Sequence, residues 1–420
     1  MKHIGESGSD PDYLDAINTI IDGLSHEMRR ISLEIHDNPE LQYKEFRAHA
    51  TLTKFIGTQK QWQVTPSAYG IETAFVAVYD SGKAGPVVSF NAEYDALKGL
   101  GHACGHNLIG IVSLAGALGT ATVMQRHNLP GKVVLFGTPA EEGGGGKIRL
   151  LEAGAYRDHS VDISLITHPG TSADSALTRT AAFSSFKAEY FGKEAHAALR
   201  PWDGINALDA LVTAYNAVAV LRQQTAPGDI IEAQILNGGL RPNIIHGYSS
   251  GLFVVRSASR ARRDALMSRV LACFDAGATA TGATLKITHR NGYDDHVPNK
   301  VLGARYRKAF LALGGRIPVE AVDYATNWSS ASTDQGNLSY AMPSISPSFW
   351  IRSETPDGKQ LGGPHTPDFE KAARTPEAHD LALRAAKALA ATAVDVLTQP
   401  EILRAVQEEF RSIRERPHHM

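Results

Sequence analysis

Within the hexapeptide GHACGH (residues 101–106) stand His102, His106 and Cys104, one of only two cysteines in 420 residues. A thiolate and an imidazole two residues apart can both reach one borderline-soft ion such as zinc or manganese, provided further donors arrive from elsewhere in the chain. Such donors are at hand. PAEEGG carries the adjacent carboxylates Glu141 and Glu142, THPG carries His168, and GGPHTPDF offers His365 from a loop far along the chain. Each alone is an ordinary polar residue; a shared position at strand ends is what links the first three. Adjacent glutamates at a strand tip can also divide the work. One binds the ion while the other takes a proton from the attacking water, which is metal-assisted hydrolysis.

Other chemistries fit less of the chain. A Cys104 nucleophile with His102 or His106 as its base is possible, but it leaves the glutamate pair and His168 without a role. A P-loop would need a glycine five residues before its Gly-Lys pair; Gly146 and Lys147 are preceded there by Glu141, and Ile148 replaces the required Ser or Thr. GLGHACG has Cys104 at the third glycine of a dinucleotide fingerprint, which breaks that signal too.

The elements that must position these residues follow from periodicity. Leu14, Ile17, Ile21 and Leu24 have helical spacing within 13–35. Runs rich in branched residues at 73–79, 86–94, 132–139 and 161–169 read as strands, and the long apolar stretch 107–124 reads as a buried helix between the second and third. Such alternation is the pattern of an α/β sheet covered on its faces, where ligands gather at the carboxyl ends of strands. Asp95, Glu141, Glu142 and His168 all stand just after such runs. From about Phe183 the order becomes strand, helix, strand, strand, helix, strand, the split βαββαβ arrangement. An inserted domain at 183–291 therefore interrupts a first domain made of 1–182 and 292–420. The closing RPHHM reads as a tail, not a metal site.

Composition bounds the rest. A chain of 420 residues points to two domains, and 43% hydrophobic with 20% charged residues is ordinary globular usage. A formal net charge of -2 gives no general attraction for nucleic acid or anionic lipid, so neither partner is expected. The polar, acidic opening MKHIGESGSDPDYLD has no export-signal pattern, and two cysteines suit a reducing compartment, so a cytoplasmic location is expected. The glycines, serine and threonines within 107–124 favour a protein-buried helix over a bilayer span.

In order along residues 30–375, EYDAL, GHACGHN, PAEEGGGG, THP, GKEAHAALRPWDGINALDA, RPNIIH, ASTDQGNLSYAMPSI and GGPHTPDF together resemble the aminoacylase and carboxypeptidase-G-like metallopeptidase family. The similar branch has a cysteine metal ligand and includes amino acid conjugate hydrolases, aminobenzoyl-glutamate hydrolase and dipeptidase-like proteins. The resemblance implies an α/β fold: a discontinuous metallopeptidase catalytic domain with an inserted ferredoxin-like lid domain that commonly builds a homodimer. It makes Cys104, His106, Glu142, His168 and His365 the metal ligands, for one or two divalent ions of manganese, zinc or cobalt. Glu141 becomes the general base, and Asp95 an acidic residue behind the site that orients a ligand. His102 matches no ligand position. His196 matches a lid histidine that stabilises the oxyanion, in relatives within the partner subunit's site, and Asn243 matches a lid asparagine that helps hold substrate.

The expected reaction is hydrolysis of a C–N bond in a small molecule: the amide of an N-acyl amino acid, dipeptide or aminobenzoyl-type conjugate. Departures from the branch at His246, Gln335 and Ser346 read as changes in the pocket wall. A relative, 5-nitroanthranilate aminohydrolase, performs hydrolytic deamination on this scaffold, and Trp328, Phe349, Trp350 and Arg352 would suit a flat anionic aromatic ring, so deamination is the second reading. The third is a silent binding protein on the same fold, which has no need of a base beside its ion.

Overall fold

The computed structural model describes residues 11–355 and 357–415; the opening MKHIGESGSD and the closing RPHHM lie outside them. Contacts divide the chain into two compact units. One takes the described residues up to Arg179, His296–Trp328 and the described residues from Asp334 onward, the other Thr180–Asp295 with Ser329–Thr333.

In the first unit a six-stranded sheet runs in the order Trp62–Pro66, Phe75–Asp80, Lys132–Gly137, Val87–Ala92, Ile163–Leu165, Ser344–Ile345. The first two pairings are antiparallel and the remaining three parallel. Alternate residues feed opposite cores: Val133 and Leu135 face one cluster, Val134 and Phe136 the other. Burial on both faces is why these strands read as continuous apolar runs.

Helices Pro11–His36, His106–His127 and Pro376–Thr398 fill one of those faces. The helix His106–His127 is long and apolar enough to cross a membrane, but 94% of its apolar window is buried inside this unit. The Phe46–Gly57 and Pro400–Glu415 helices and the Trp62–Pro66 strand were not anticipated.

The second unit folds as strand Ala182–Phe191, helix Ala207–Leu221, strands Ile230–Asn237 and Tyr248–Ser257, helix Arg260–Thr281 and strand Thr284–Tyr293. Its sheet order is Ile230–Asn237, Tyr248–Ser257, Ala182–Phe191, Thr284–Tyr293, all antiparallel. This is the connectivity and strand order of a ferredoxin-like βαββαβ unit. Asn206 and Ser259 cap its helices by accepting from Leu208 N and Arg262 N. In its core Phe186 stacks on Phe253, and Phe274 meets both rings edge to face. It extends a few residues beyond the 183–291 span at each end.

Candidate metal centre

Three parallel strands deliver the site from their carboxyl ends. Val87–Ala92 runs into Glu93 and Asp95, Lys132–Gly137 into Glu141 and Glu142, and Ile163–Leu165 into His168. Cys104 and His106 sit where the loop after the first of these enters the helix His106–His127. Gly105 makes that turn possible. Its φ is +77°, and a Cβ there would lie 2.6 Å from Pro169 Cγ, so only glycine lets the turn press against the segment bearing His168.

The donors converge. Cys104 Sγ lies 3.4 Å from His168 Nε2, while His168 Nδ1 is 2.7 Å from the Pro169 carbonyl, which fixes the ring with Nε2 toward the sulfur. His106 Nδ1 is 3.0 Å from Asp95 Oδ1, and its Nε2 is buried with no hydrogen-bond partner. Facing that nitrogen are Glu93 Oε2 at 3.5 Å and Glu141 Oε2 and Glu142 Oε1 at 3.9 Å. His365, at φ +69° in its loop, reaches Glu142 Oε1 with Nε2 at 3.3 Å.

Among the described residues, ligand atoms of Cys104, His106 and His168 lie within 4.8 Å of one another, and so do those of Cys104, Glu142 and His365. Cys104 belongs to both sets. A sulfur, imidazole and carboxylate donor set, with a buried imidazole nitrogen that has no partner, fits divalent transition-metal ions held by the five predicted ligands. Asp95 fits its expected place behind them. Besides holding His106, it accepts the Glu142 backbone N–H through Oδ2 at 3.0 Å, so one carboxylate braces two of the candidate ligands. His102 is buried against the ring of His36 and belongs to none of these donor sets.

Electrostatics separates the roles. Burial and the carboxylates of Glu93, Asp334 and Glu142 push Glu141 well above the ordinary carboxylate range, which suits a proton acceptor. Burial also pushes the Cys104 thiol up, the opposite of what a free thiolate nucleophile needs. Ligation by a metal ion would stabilise this sulfur as a thiolate.

Some expectations are corrected. Gln335 does not line a pocket: it is fully buried, accepting from Asn91 Nδ2 at 3.1 Å and donating to Ser164 Oγ at 3.1 Å and Ser344 Oγ at 2.7 Å. Its difference from the branch is a matter of core packing. Phe349 is likewise a core residue, and Arg352 pairs with Glu377 while its guanidinium covers the Trp350 ring at 5.4 Å.

His196 and Asn243 belong to the second unit, where the structure brings them together. His196 pairs with Ile244 across a short ladder, and Ala197 N donates to the Asn243 carbonyl at 3.0 Å. Both side chains are exposed.

Sequence reasoning missed Glu45, Glu93, Lys147 and Asp334. Glu45 is buried and accepts the N–H groups of Tyr43 and Ala140 through Oε1, which fixes the turn at the end of strand Lys132–Gly137. Glu93 lay in plain view beside Asp95 in EYDAL. Asp334 stood beside Gln335 in ASTDQGN, and nothing in the local sequence marks Glu45 or Lys147.

A family model described as Peptidase family M20/M25/M40 matches residues 85–402. The chain is 40% identical over 402 residues to the Xaa-Arg dipeptidase of Mus musculus, covering 93% of this chain and 90% of that protein. Among solved structures, an aminobenzoyl-glutamate utilization protein from Klebsiella pneumoniae superposes with a TM-score of 0.66 at 19% identity, covering 91% and 99% of the two chains. A dinuclear metal binding peptidase from Bacillus subtilis gives a TM-score of 0.62 at 18% identity over 92% and 100%. The two structural likenesses are of fold.

Proposed function

The chain belongs to the peptidase family M20/M25/M40, and from that premise we propose that it hydrolyses the amide bond of dipeptides, foremost those ending in a basic residue. That it is a metal-dependent hydrolase of C–N bonds follows from the family and its dipeptidase relative. The narrower substrate rests on the 40% identity to an Xaa-Arg dipeptidase. The observation that carries the chemistry is the convergence of two donor sets on Cys104 with Glu141 beside them.

In this reading Cys104, His106, His168, Glu142 and His365 hold one or two divalent ions of the manganese, zinc or cobalt type. When bound, such an ion acidifies water and polarises the scissile carbonyl. Glu141 accepts the proton of the attacking water on its carboxylate and passes it to the leaving nitrogen. Asp95 keeps His106 and Glu142 oriented. His196 donates to the developing oxyanion, and Asn243 holds the substrate. The exposure of His196 suits action in the site of a second copy.

A homodimer through the second unit belongs to the same reading. Strand Ile230–Asn237 is a sheet edge carrying exposed Ile235 and Leu236, and helix Ala207–Leu221 exposes Val212, Tyr215 and Val220. Light scattering of the purified protein is expected to give twice the chain mass; a monomer would remove this part and the trans role of His196 together. The free cysteines, one of them a ligand, fit a reducing cytoplasm.

The deciding experiment is mass spectrometry of products from manganese-loaded protein given Xaa-Arg and other dipeptides, N-acyl amino acids, aminobenzoyl conjugates and amino-aromatic acids. Two fragments from a dipeptide, one of them free arginine, are expected. Ammonia with a hydroxylated intact ring would overturn amide hydrolysis, and no turnover by the loaded protein would favour the silent binding protein.

A further inference from the structure

Behind the ion-binding side chains lies a lysine that the motifs do not assign. Lys147, in the first turn of helix Gly146–Glu152, is fully buried. Its Nζ donates to Glu93 Oε1 at 2.5 Å and to Asp334 Oδ1 at 2.5 Å, and its backbone N–H donates to Asp334 Oδ2 at 2.9 Å. Gly146 allows this fold-back, because a Cβ there would sit 1.8 Å from the Pro139 carbonyl oxygen. Burial opposes the charge on Lys147, but Asp334, Glu93 and Glu141 outweigh it, and its pKa stands above that of an ordinary lysine. The ammonium is therefore a fixed positive charge inside the carboxylate cluster.

The two oxygens of Glu93 face different neighbours. Oε1 is taken by Lys147. Oε2 is buried without a hydrogen-bond partner, 3.5 Å from the ligand nitrogen of His106 and closer to it than either Glu141 or Glu142. Carboxylate oxygens of Glu93, Glu141 and Asp334 lie within 4.8 Å of one another. Groups of like charge this close in a dry interior separate or rotate unless a cation holds them. Lys147 already stands among these three, in the place that a further ion would take.

We propose that Lys147, braced by Asp334, is a positioning residue for the hydrolytic reaction: it locks Glu93 with Oε2 turned to the ion side of His106 and so keeps Glu141 facing the attacking water. The inference rests on the reading of Glu141 as the base. A packing role alone would not explain why the lysine holds the Glu93 oxygen that points away from the centre and leaves the other aimed into it. With a neutral side chain at 147, Glu93 and Asp334 would lose their shared counter-ion and separate or rotate, so that neither Glu93 Oε2 nor Glu141 is held in its orientation. The ligands themselves would stay in place.

The test uses the full chain loaded with cobalt(II), comparing wild type with Lys147→Met, Asp334→Asn and the double variant. Bound metal per chain and the thiolate-to-cobalt absorption band report the ligands. Ligand-field bands report groups crowding the ion, and kcat and KM report catalysis. Lys147→Met is expected to keep wild-type stoichiometry and the thiolate band, shift the ligand-field bands, and lower kcat roughly 10- to 100-fold with KM changed less than about threefold. Asp334→Asn should act in the same direction, and the double variant should be no worse than Lys147→Met, because the pair acts as one unit.

Full loading with an unshifted spectrum and kcat within about threefold of wild type would overturn the proposal, as would a kcat loss that merely tracks lost metal. Should Lys147→Met not fold, Asp334→Asn decides by the same criteria. A wild type inactive on every substrate would refute the hydrolase reading, while the cobalt spectra would still show whether Lys147 orients Glu93.

Discussion

Glu141→Gln is expected to bind metal at the wild-type stoichiometry and to turn over about 10³-fold more slowly, a barrier increase of about 4 kcal/mol. Glutamine keeps the shape of the side chain and loses only its ability to take a proton. Neither donor set centred on Cys104 needs Glu141, so the ions should stay. The residue is 7% exposed beside Glu93 and Asp334, an environment in which an amide carries no charge penalty, so the fold should hold as well. Steady-state kinetics paired with elemental analysis check this. Turnover within tenfold of wild type at full metal content would remove Glu141 from the role of base.

Cys104→Ser is expected to have the other large effect, at the level of binding. Cys104 is common to the two sets that contain a sulfur donor, so its loss weakens binding at both of them. A serine hydroxyl stays protonated where a thiol readily becomes a thiolate ligand, and its oxygen is a harder donor. Metal affinity should fall about 100-fold or more, which is about 2.7 kcal/mol or more. Calorimetry with added zinc or manganese should show this directly. Thermal unfolding should show it too: free metal at 100 times the dissociation constant stabilises the wild type by about 2.7 kcal/mol, and the variant should lose most of that gain. An unchanged metal content in the variant would return Cys104 to the thiol chemistry that its histidine neighbours first suggested.

The two expectations are separable. One residue removes chemistry and leaves the ions; the other removes the ions and, with them, the chemistry. A site in which both variants lost metal equally would mean that Glu141 is a ligand, a role that its place within 4.8 Å of His106 and Glu142 makes measurable.

What could be read from the chain alone was whatever is encoded locally. GHACGH and PAEEGG are turns that follow strands, so the strand run before each and the helix or glycines after it already place their side chains at the carboxyl edge of a sheet. The βαββαβ order of the second unit was legible because strand-like runs and helical stretches alternate along it. The family resemblance then implies separate roles for Glu141 and Glu142, which no spacing could.

Only the folded chain could show the charge network behind the ligands. Glu93 and Lys147 are 54 residues apart, and Lys147 and Asp334 are 187 apart, yet they meet in one salt-bridged cluster. A lysine in a glycine-rich turn is expected at the surface, because burying its charge is costly until the counter-charges are in place. Gln335 was misread for the same reason. Its partner Asn91 is 244 residues away, and the choice between pocket wall and core depends on where strand Val87–Ala92 comes to rest. Periodicity and motifs settle which side chains leave a strand end together, since those follow from covalent neighbours. Which distant charges close around them is settled by tertiary packing, where desolvation makes each buried carboxylate require a partner that no local stretch of sequence names.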